Sequence, residues 1–259
     1  MEIRLPQDVK RILNTLERAG FEAYAVGGCV RDSILGRTPD DWDITTSAKP
    51  EEIKSIFSHT VDTGILHGTV TVLMDGGCFE VTTYRIDGEY EDNRHPKDVK
   101  FTASLTEDLK RRDFTINAMA YNNEVGLIDI FGGQEDLKKN VIRCVGEPEE
   151  RFKEDALRIM RAIRFSAQLG YRIEEHTGAA IRTLAGSLVN ISAERIQVEL
   201  VKLVVSPHPE YIKVAYDMGV TKVIFPEWNQ MMETKQQNPH HMYNVGEHTL
   251  KAMTLIESD

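Results

Sequence analysis

Asp41 and Asp43, separated only by Trp42, are the residues of this sequence best placed to do chemistry. On an extended strand, residues two apart leave the same face, so the two carboxylates would stand roughly 6–7 Å apart. Like charges aimed together cost stability unless a cation lies between them. Two-metal phosphoryl-transfer sites use such acids to hold ions that stabilise the attacking and leaving oxygens. The bland alternative is a solvated acidic strand end, and two neighbouring features weigh against it. Trp42 and Ile44 make the opposite face apolar. Upstream, the run VGGCVRD holds Gly27 and Gly28, whose backbone N–H groups can approach a phosphate closely, and Arg31, which can fork onto phosphate oxygens. Glu80, a charge inside the strand-forming run CFEVTTYR, would complete a set of three acids if its strand pairs beside DWDIT. Without that pairing it is an ordinary exposed hairpin glutamate.

These residues need a scaffold, and the pattern supplies one. A helix is predicted over residues 6–19, opened by Pro6, striped by Val9, Ile12, Leu13 and Leu16, and closed by Gly20. A strand over 22–26, a helical turn after the glycines and a strand around DWDIT follow. Next come a helix over 50–57 and a hairpin of strands 68–74 and 78–84, joined through Asp75-Gly76-Gly77. The polar, turn-rich run RIDGEYEDNRHPK reads as a mobile loop over 85–97. Beyond Ile142 strand signals fade. Helices are predicted over 149–168, 174–184, 193–204 and 210–218, with an unfinished one over 244–257.

Composition limits the possible functions. No run approaches the roughly 18 apolar residues of a membrane helix, and the first residues lack a signal-peptide core. Three cysteines without CxxC spacing suit reduced thiols in a cytoplasmic protein. A net charge of −10 argues against a protein that coats nucleic acid non-specifically. The positive charge is bunched instead, at Lys110, Arg111 and Arg112 and again at Arg151, Arg158, Arg161 and Arg164. Such clusters suit a phosphate gripped at one place, or else solvated helix faces.

The segments GGCVRDSILG, DWDITT, HGTVTV, FEVTTY, DGEYEDNRHP, DLKRRDFTINAMAY, LIDIFGGQEDL and EDALRIMRAIRF, in this order over about residues 20–205, resemble the bacterial class II CCA-adding tRNA nucleotidyltransferases, a group that includes bacterial poly(A) polymerase. The resemblance implies an α/β nucleotidyltransferase head with a mixed, largely antiparallel sheet (1–140). A helical, nucleobase-selecting neck (141–205) and a partial helical body (206–259) would follow. It implies template-independent addition of C, C and A to the 3′ end of tRNA from CTP and ATP. Asp41 and Asp43 match the family's Mg²⁺ ligands, and Glu80 its third carboxylate. Gly27, Gly28 and Arg31 match triphosphate contacts, and Arg112, Asp113 and Asn117 the ribose-sensing motif. DIFGGQEDL resembles the hinge between head and neck. Glu154, Asp155 and Arg158 match the base-selecting motif, with Arg161 and Arg164 behind, and AERIQVELVKLV resembles the helix that braces it.

On one continuous helix Asp155 and Arg158 would be i and i+3 and share a face, with Ala156, Met160, Ile163 and Ala167 on the core side. Unsupported by context, such a pattern would be a surface ion pair. Three variants share this chemistry: poly(A) polymerase, CC-only addition and A-only addition. The loop DGEYEDNRHP speaks for full CCA addition and against the CC-only form. A non-catalytic RNA-binding module would have no reason to keep three repelling acids. The segment NPHHMYNVGEHTL resembles the opening of an HD phosphohydrolase-like domain, but the downstream His-Asp pair is absent. His240, His241 and His248 are therefore read as part of an incomplete domain rather than a metal site.

Overall fold

The computed structural model describes residues 2–88, 99–236 and 242–256. They divide into two compact units whose boundary falls between Leu137 and Lys138.

The first unit is built on a seven-stranded sheet. Helix α1 (Gln7–Arg18) buries Val9, Ile12, Leu13 and Leu16, the predicted stripe. Strand β1 (Ala23–Val26) is buried at every position, which makes it a central strand. Helix α2 (Gly28–Ile34) follows the glycine turn, and β2 (Ile44–Thr46) lies antiparallel to β1. Helix α3 (Pro50–Ile56) leads to edge strand β3 (Thr60–Gly64). Strands β4 (Thr69–Met74) and β5 (Gly77–Thr83) form the predicted hairpin, pairing Met74 with Gly77 around Asp75-Gly76. Val70, Val72 and Val81 are fully buried on its inner face.

The expected loop over 85–97 begins instead as strand β6 (Arg85–Asp87), which pairs antiparallel with β7 (Val99–Phe101). The rest of that loop lies outside the described residues. Helix α4 (Leu105–Lys110), β8 (Met119–Asn122) and β9 (Gly126–Asp129) complete the unit, and α5 (Gly133–Lys139) crosses its boundary. Sheet order is β3-β4-β5-β2-β1-β8-β9. Only β2 and β5 run parallel, so the sheet is mixed and largely antiparallel, as expected.

Among its described residues the second unit is helical apart from a two-stranded parallel ribbon, β10 (Val141–Ile142) with β11 (Arg172–Ile173). The helix expected over 149–168 is two helices, α6 (Pro148–Glu154) and α7 (Leu157–Leu169). Asp155 between them is extended (φ −139°, ψ 105°). Its Oδ1 accepts the Leu157 N–H at 3.0 Å, so a side chain that competes with helical backbone bonding stops one helix and starts the next. Helix α7 buries every residue except Arg161 and Gln168, which makes it the central helix of this unit. Around it come α8 (Glu175–Leu184) and α9 (Ala193–Val204), the latter at its expected bounds.

The segment expected as a helix over 210–218 starts as a 3₁₀ turn (Pro209–Tyr211) before α10 (Ile212–Asp217). Then come α11 (Thr221–Ile224), α12 (Pro226–Glu233) and α13 (Val245–Met253). Asn244 and Glu247 form a reciprocal cap at the start of α13. His248 is exposed on α13, while His240 and His241 lie outside the described residues. Among the described residues no helix is long and apolar enough to cross a membrane. All three cysteines are free, Cys29 and Cys144 buried and Cys78 exposed.

Candidate active site

Asp41 and Asp43 do not lie within a strand; both precede β2, on the segment that leads into it. The Asp43 carbonyl still accepts the Val26 N–H at 3.0 Å, which fixes Asp43 at the mouth of the sheet. β2 and β5 run parallel with Ile44 opposite Val81, so Asp43 and Glu80 each stand one residue before that pair. Glu80 therefore belongs with the two aspartates, through the strand pairing expected of it. Burial pushes the Asp43 carboxyl up first; Arg112 opposes the rise and Asp41 adds to it. Glu80 is raised by burial, then by the charges of Asp43 and Asp41. Each of these two carboxyls responds to its neighbours' charge, although all three are exposed.

The glycine turn lies against this group. Gly27 has φ +85°, a region that strains any side chain, and a Cβ built there would lie 3.3 Å from Arg112 Nη1 and 4.0 Å from Asp43 Oδ2. Gly28 meets only Arg31 at an ordinary 3.6 Å. Geometry thus demands glycine at 27 and merely accepts it at 28.

Arg31 is held by partners within its own unit. Its Nε and Nη2 close on Asp32 at 2.9 and 2.8 Å, and its Nη1 donates to Asn117 Oδ1 at 2.7 Å. Asn117 Nδ2 donates to Asp113 Oδ1 at 3.1 Å, which also accepts the Phe114 N–H at 2.8 Å. The motifs assign Arg31 to triphosphate and Asp113 with Asn117 to ribose. The structure joins them in one buried hydrogen-bonded chain that ties α2 to the turn Thr115–Asn117.

In the second unit the expected Asp155–Arg158 stripe is absent, because the helix breaks at Asp155. Arg158 instead donates to Glu154 Oε2 at 2.6 Å and to the Arg151 carbonyl at 3.2 Å, and Arg151 also pairs with Glu154. Asp155 Oδ2 accepts from Arg195 of α9 at 2.9 Å. Arg164 is buried, pairs with the buried Glu199 of α9, and donates to Gln168 at 2.7 Å. Its guanidinium carbon lies 3.8 Å from the Phe165 ring centroid, and that of the partly exposed Arg161 lies at 5.3 Å. Ala156, Met160, Ile163 and Ala167 form the buried row that was expected.

The resemblance makes α9 a brace, and the residues that do the bracing, Arg195 and Glu199, emerge only from the structure. Glu199→Ala strands Arg164 without its carboxylate in a buried setting, a loss of about 3 kcal/mol. Thermal melts should therefore show the midpoint falling by roughly 6–12 °C. A fall below about 2 °C would mean that Gln168 and the ring suffice to hold Arg164.

The residues expected to hold a metal fit one. Asp41, Asp43 and Glu80 form an all-oxygen, all-anionic donor set suited to a hard divalent cation. Burial is the first cause that raises Asp43 and Glu80, and the mutual repulsion that adds to it is what such a cation relieves. Their oxygens do not all lie within 4.8 Å of one another. Among the described residues, the triad that does meet that spacing is Glu147, Glu149 and His176, on the surface of the second unit.

A mixed sheet that presents acids at the mouth of two parallel strands, beside a glycine turn, is the head of a nucleotidyltransferase. The family model of the poly(A) polymerase head domain matches residues 23–143, and that described as the probable RNA and SrmB-binding site of polymerase A matches residues 170–232. The chain belongs to the family of poly(A) polymerases and CCA-adding enzymes, whose members generally work with a divalent metal.

It is 57% identical over 203 residues to the CCA-adding enzyme of Leuconostoc mesenteroides, covering 77% of this chain and 51% of that one. With the CCA-adding enzyme of Lactobacillus helveticus it shares 55% over 197 residues, covering 76% and 49%. Among solved structures it is similar to the Bacillus stearothermophilus CCA-adding enzyme in complex with CTP, with TM-score 0.77, 44% identity, and coverage of 83% and 52%. The Thermotoga maritima CCA-adding enzyme complexed with tRNA gives TM-score 0.71 and 28% identity, covering 92% and 58%. The chain spans about half the length of the curated relatives it matches.

Proposed function

We propose that this chain carries the catalytic head and base-selecting neck of a CCA-adding enzyme. It would add C, C and A to the 3′ end of tRNA without a nucleic-acid template, consuming CTP and ATP and releasing pyrophosphate. The observation that carries this reading is the meeting of Asp41, Asp43 and Glu80 beside Gly27 and Arg112. Asp41 and Asp43, with Glu80 beside them, would hold Mg²⁺, whose contribution when bound is to stabilise charge on the attacking and leaving oxygens.

The chain's own residues do the rest. Gly27, Gly28 and Arg31 would contact the triphosphate, Gly27 by letting the backbone approach it. Arg112 supplies positive charge beside Asp43, and Asp113 and Asn117 fix the ribose side of the site. The tRNA 3′-hydroxyl oxygen forms the new bond to the α-phosphorus as the bond to pyrophosphate breaks. Glu154, Asp155 and Arg158 read the base, with Arg161 and Arg164 supporting them. The working division is a head over 1–140, a neck over 141–205 and the start of a body over 206–259. A tRNA-processing role of this kind belongs in the cytoplasm.

The deciding assay offers labelled CTP or ATP with tRNA lacking its CCA end, with and without Mg²⁺. Mg²⁺-dependent incorporation of both nucleotides is expected. Incorporation of CTP alone, of ATP alone, or of long A tracts would move the reading to a CC-adding enzyme, an A-adding enzyme or a poly(A) polymerase. A second expectation concerns the loop expected over residues 85–97. By the resemblance, shortening it should spare CC addition and remove the terminal A. Products that stop before the first C would show instead that the segment supports the whole site.

A further inference from the structure

Asp108, on α4, is fully buried and carries none of the roles assigned above. Its Oδ1 accepts from Arg111 Nε and Nη2 at 2.9 and 2.8 Å and from the Arg85 N–H at 3.4 Å. Its Oδ2 accepts from Thr45 Oγ1 at 3.0 Å and from Arg112 Nη2 at 3.3 Å. Thr45 is the second residue after Asp43 along the same segment. One buried carboxylate thus ties the chain that bears Asp43 to the guanidinium that faces it. Burial pushes Asp108 up, but Arg112, Arg111 and the hydrogen bonds from Arg111 and Thr45 outweigh it and hold it below the usual carboxylate range.

Arg112 stands between two acids. Nη2 is on Asp108, while Nη1 and Asp43 Oδ2 flank Gly27, at 3.3 and 4.0 Å from the point where a Cβ would sit. Asp43 feels the Arg112 charge. Even so, the ion pair recorded for Arg112 among the described residues is with Asp108. We propose that Asp108 is a positioning residue that holds the Arg112 guanidinium off Asp43, leaving that carboxylate available to a divalent cation. The inference rests on the reading of Asp43 as a metal ligand. Without the Asp108 charge, Arg112 has one strong acceptor left, and a cation must displace a guanidinium before it can bind.

The test uses Mn²⁺ alone, without nucleotide or tRNA, following the free-ion electron paramagnetic resonance signal as the chain is titrated. Asp108→Asn should weaken Mn²⁺ binding up to about fivefold, the scale of one partly exposed ion pair that must be broken. Adding Arg112→Gln should remove the competitor and bring affinity back to within about 1.5-fold of wild type. A merely structural or through-space role predicts that Arg112→Gln strengthens Mn²⁺ binding equally with and without Asp108, whereas positioning predicts the larger gain in Asp108→Asn. Unchanged binding in folded Asp108→Asn, or weakening that Arg112→Gln fails to rescue, would overturn the proposal. If circular dichroism shows Asp108→Asn unfolded, the charge-balanced pair Asp108→Asn/Arg111→Gln replaces it. That pair also leaves Arg112 free, so the same weakening is expected and unchanged binding overturns the proposal. Asp43→Asn is the control for the underlying reading. If it leaves Mn²⁺ binding intact, the metal lies elsewhere and that reading falls. If it abolishes binding while the Asp108 variants do not weaken it, only the present inference falls.

Discussion

Asp43→Asn is expected to cut nucleotide incorporation about a thousandfold or more, because in the function proposed above it removes a ligand from ions that supply several kcal/mol of transition-state stabilisation. The same substitution should leave the melting temperature unchanged or raise it. Asp43 is raised by burial, with Arg112 opposing and Asp41 adding, so it binds a proton more tightly folded than unfolded. Its contribution to stability is therefore full below the ordinary carboxylate range and is lost as pH rises through the raised folded value. At neutral pH, without metal, the ionised group is a net cost that the neutral isostere removes. Melting curves of metal-free protein across that window should show a decline in the parent that flattens in Asp43→Asn. Near-parental incorporation by Asp43→Asn would remove this residue from the metal site. A variant that loses both activity and folded signal would mean that Asp43 works through the fold.

Elements with one dominant local signal are legible in the residues alone. The α1 stripe of Val9, Ile12, Leu13 and Leu16 repeats at helical spacing and is bounded by Pro6 and Gly20. The β4–β5 hairpin combines alternation with Asp75-Gly76, a pair suited to a tight turn. Other elements lack such a signal. β3 is a largely exposed edge strand of sequence TVDTG, and its pairing with β4 makes it a strand. β8 and β9 are four residues each and hold their place through neighbours, β8 against β1 and β9 against β8. Between Glu149 and Gln168 neither Gly nor Pro interrupts the run, so periodicity predicts one helix. The signal that divides it is Asp155 itself, whose side chain takes the Leu157 N–H two positions on and so competes with helical backbone bonding.

The site shows the same division. Asp41, Asp43, Glu80 and Gly27 are legible because charges amid strand-formers and a double glycine are costly, and cost implies use. The expected geometry of the aspartates is still wrong, since they precede β2, where no ladder forces alternation. Asp108 escapes notice because DLKRRD reads as a solvated run. Its burial depends on Thr45, 63 residues away, which no local pattern reports. The type and neighbours of Arg31 suggest a phosphate fork. Asp32, the next residue in sequence, takes that fork in the structure.

Arg158→Ala is expected to lower incorporation of C and A together and to relax discrimination against U and G. Cytosine and adenine each present an exocyclic amine donor beside a ring-nitrogen acceptor. Uracil and guanine present a carbonyl beside a ring N–H. A carboxylate only accepts and a guanidinium only donates, so an acid beside an arginine matches the first pair and opposes the second. The break between α6 and α7 changes which acids can serve. Arg158 is paired with Glu154, four residues back, while Asp155 is held by Leu157 and Arg195. Arg158 is therefore aimed by Glu154, while Asp155 is aimed independently by α9. Losing Arg158 leaves Glu154 with Arg151 as its partner and removes the donor half of the protein edge, at about 1–3 kcal/mol for a base group left unpaired. That corresponds to roughly a 5- to 150-fold loss in kcat/KM for CTP and for ATP alike. UTP and GTP should lose less, because a group that opposed them has gone. Single-nucleotide incorporation with each of the four triphosphates measures all of this on one protein. Selectivity that survives in folded Arg158→Ala would show that Arg158 does not read the base. Asp155 with Arg195 would then be the place to look, because that pair stays intact in this variant.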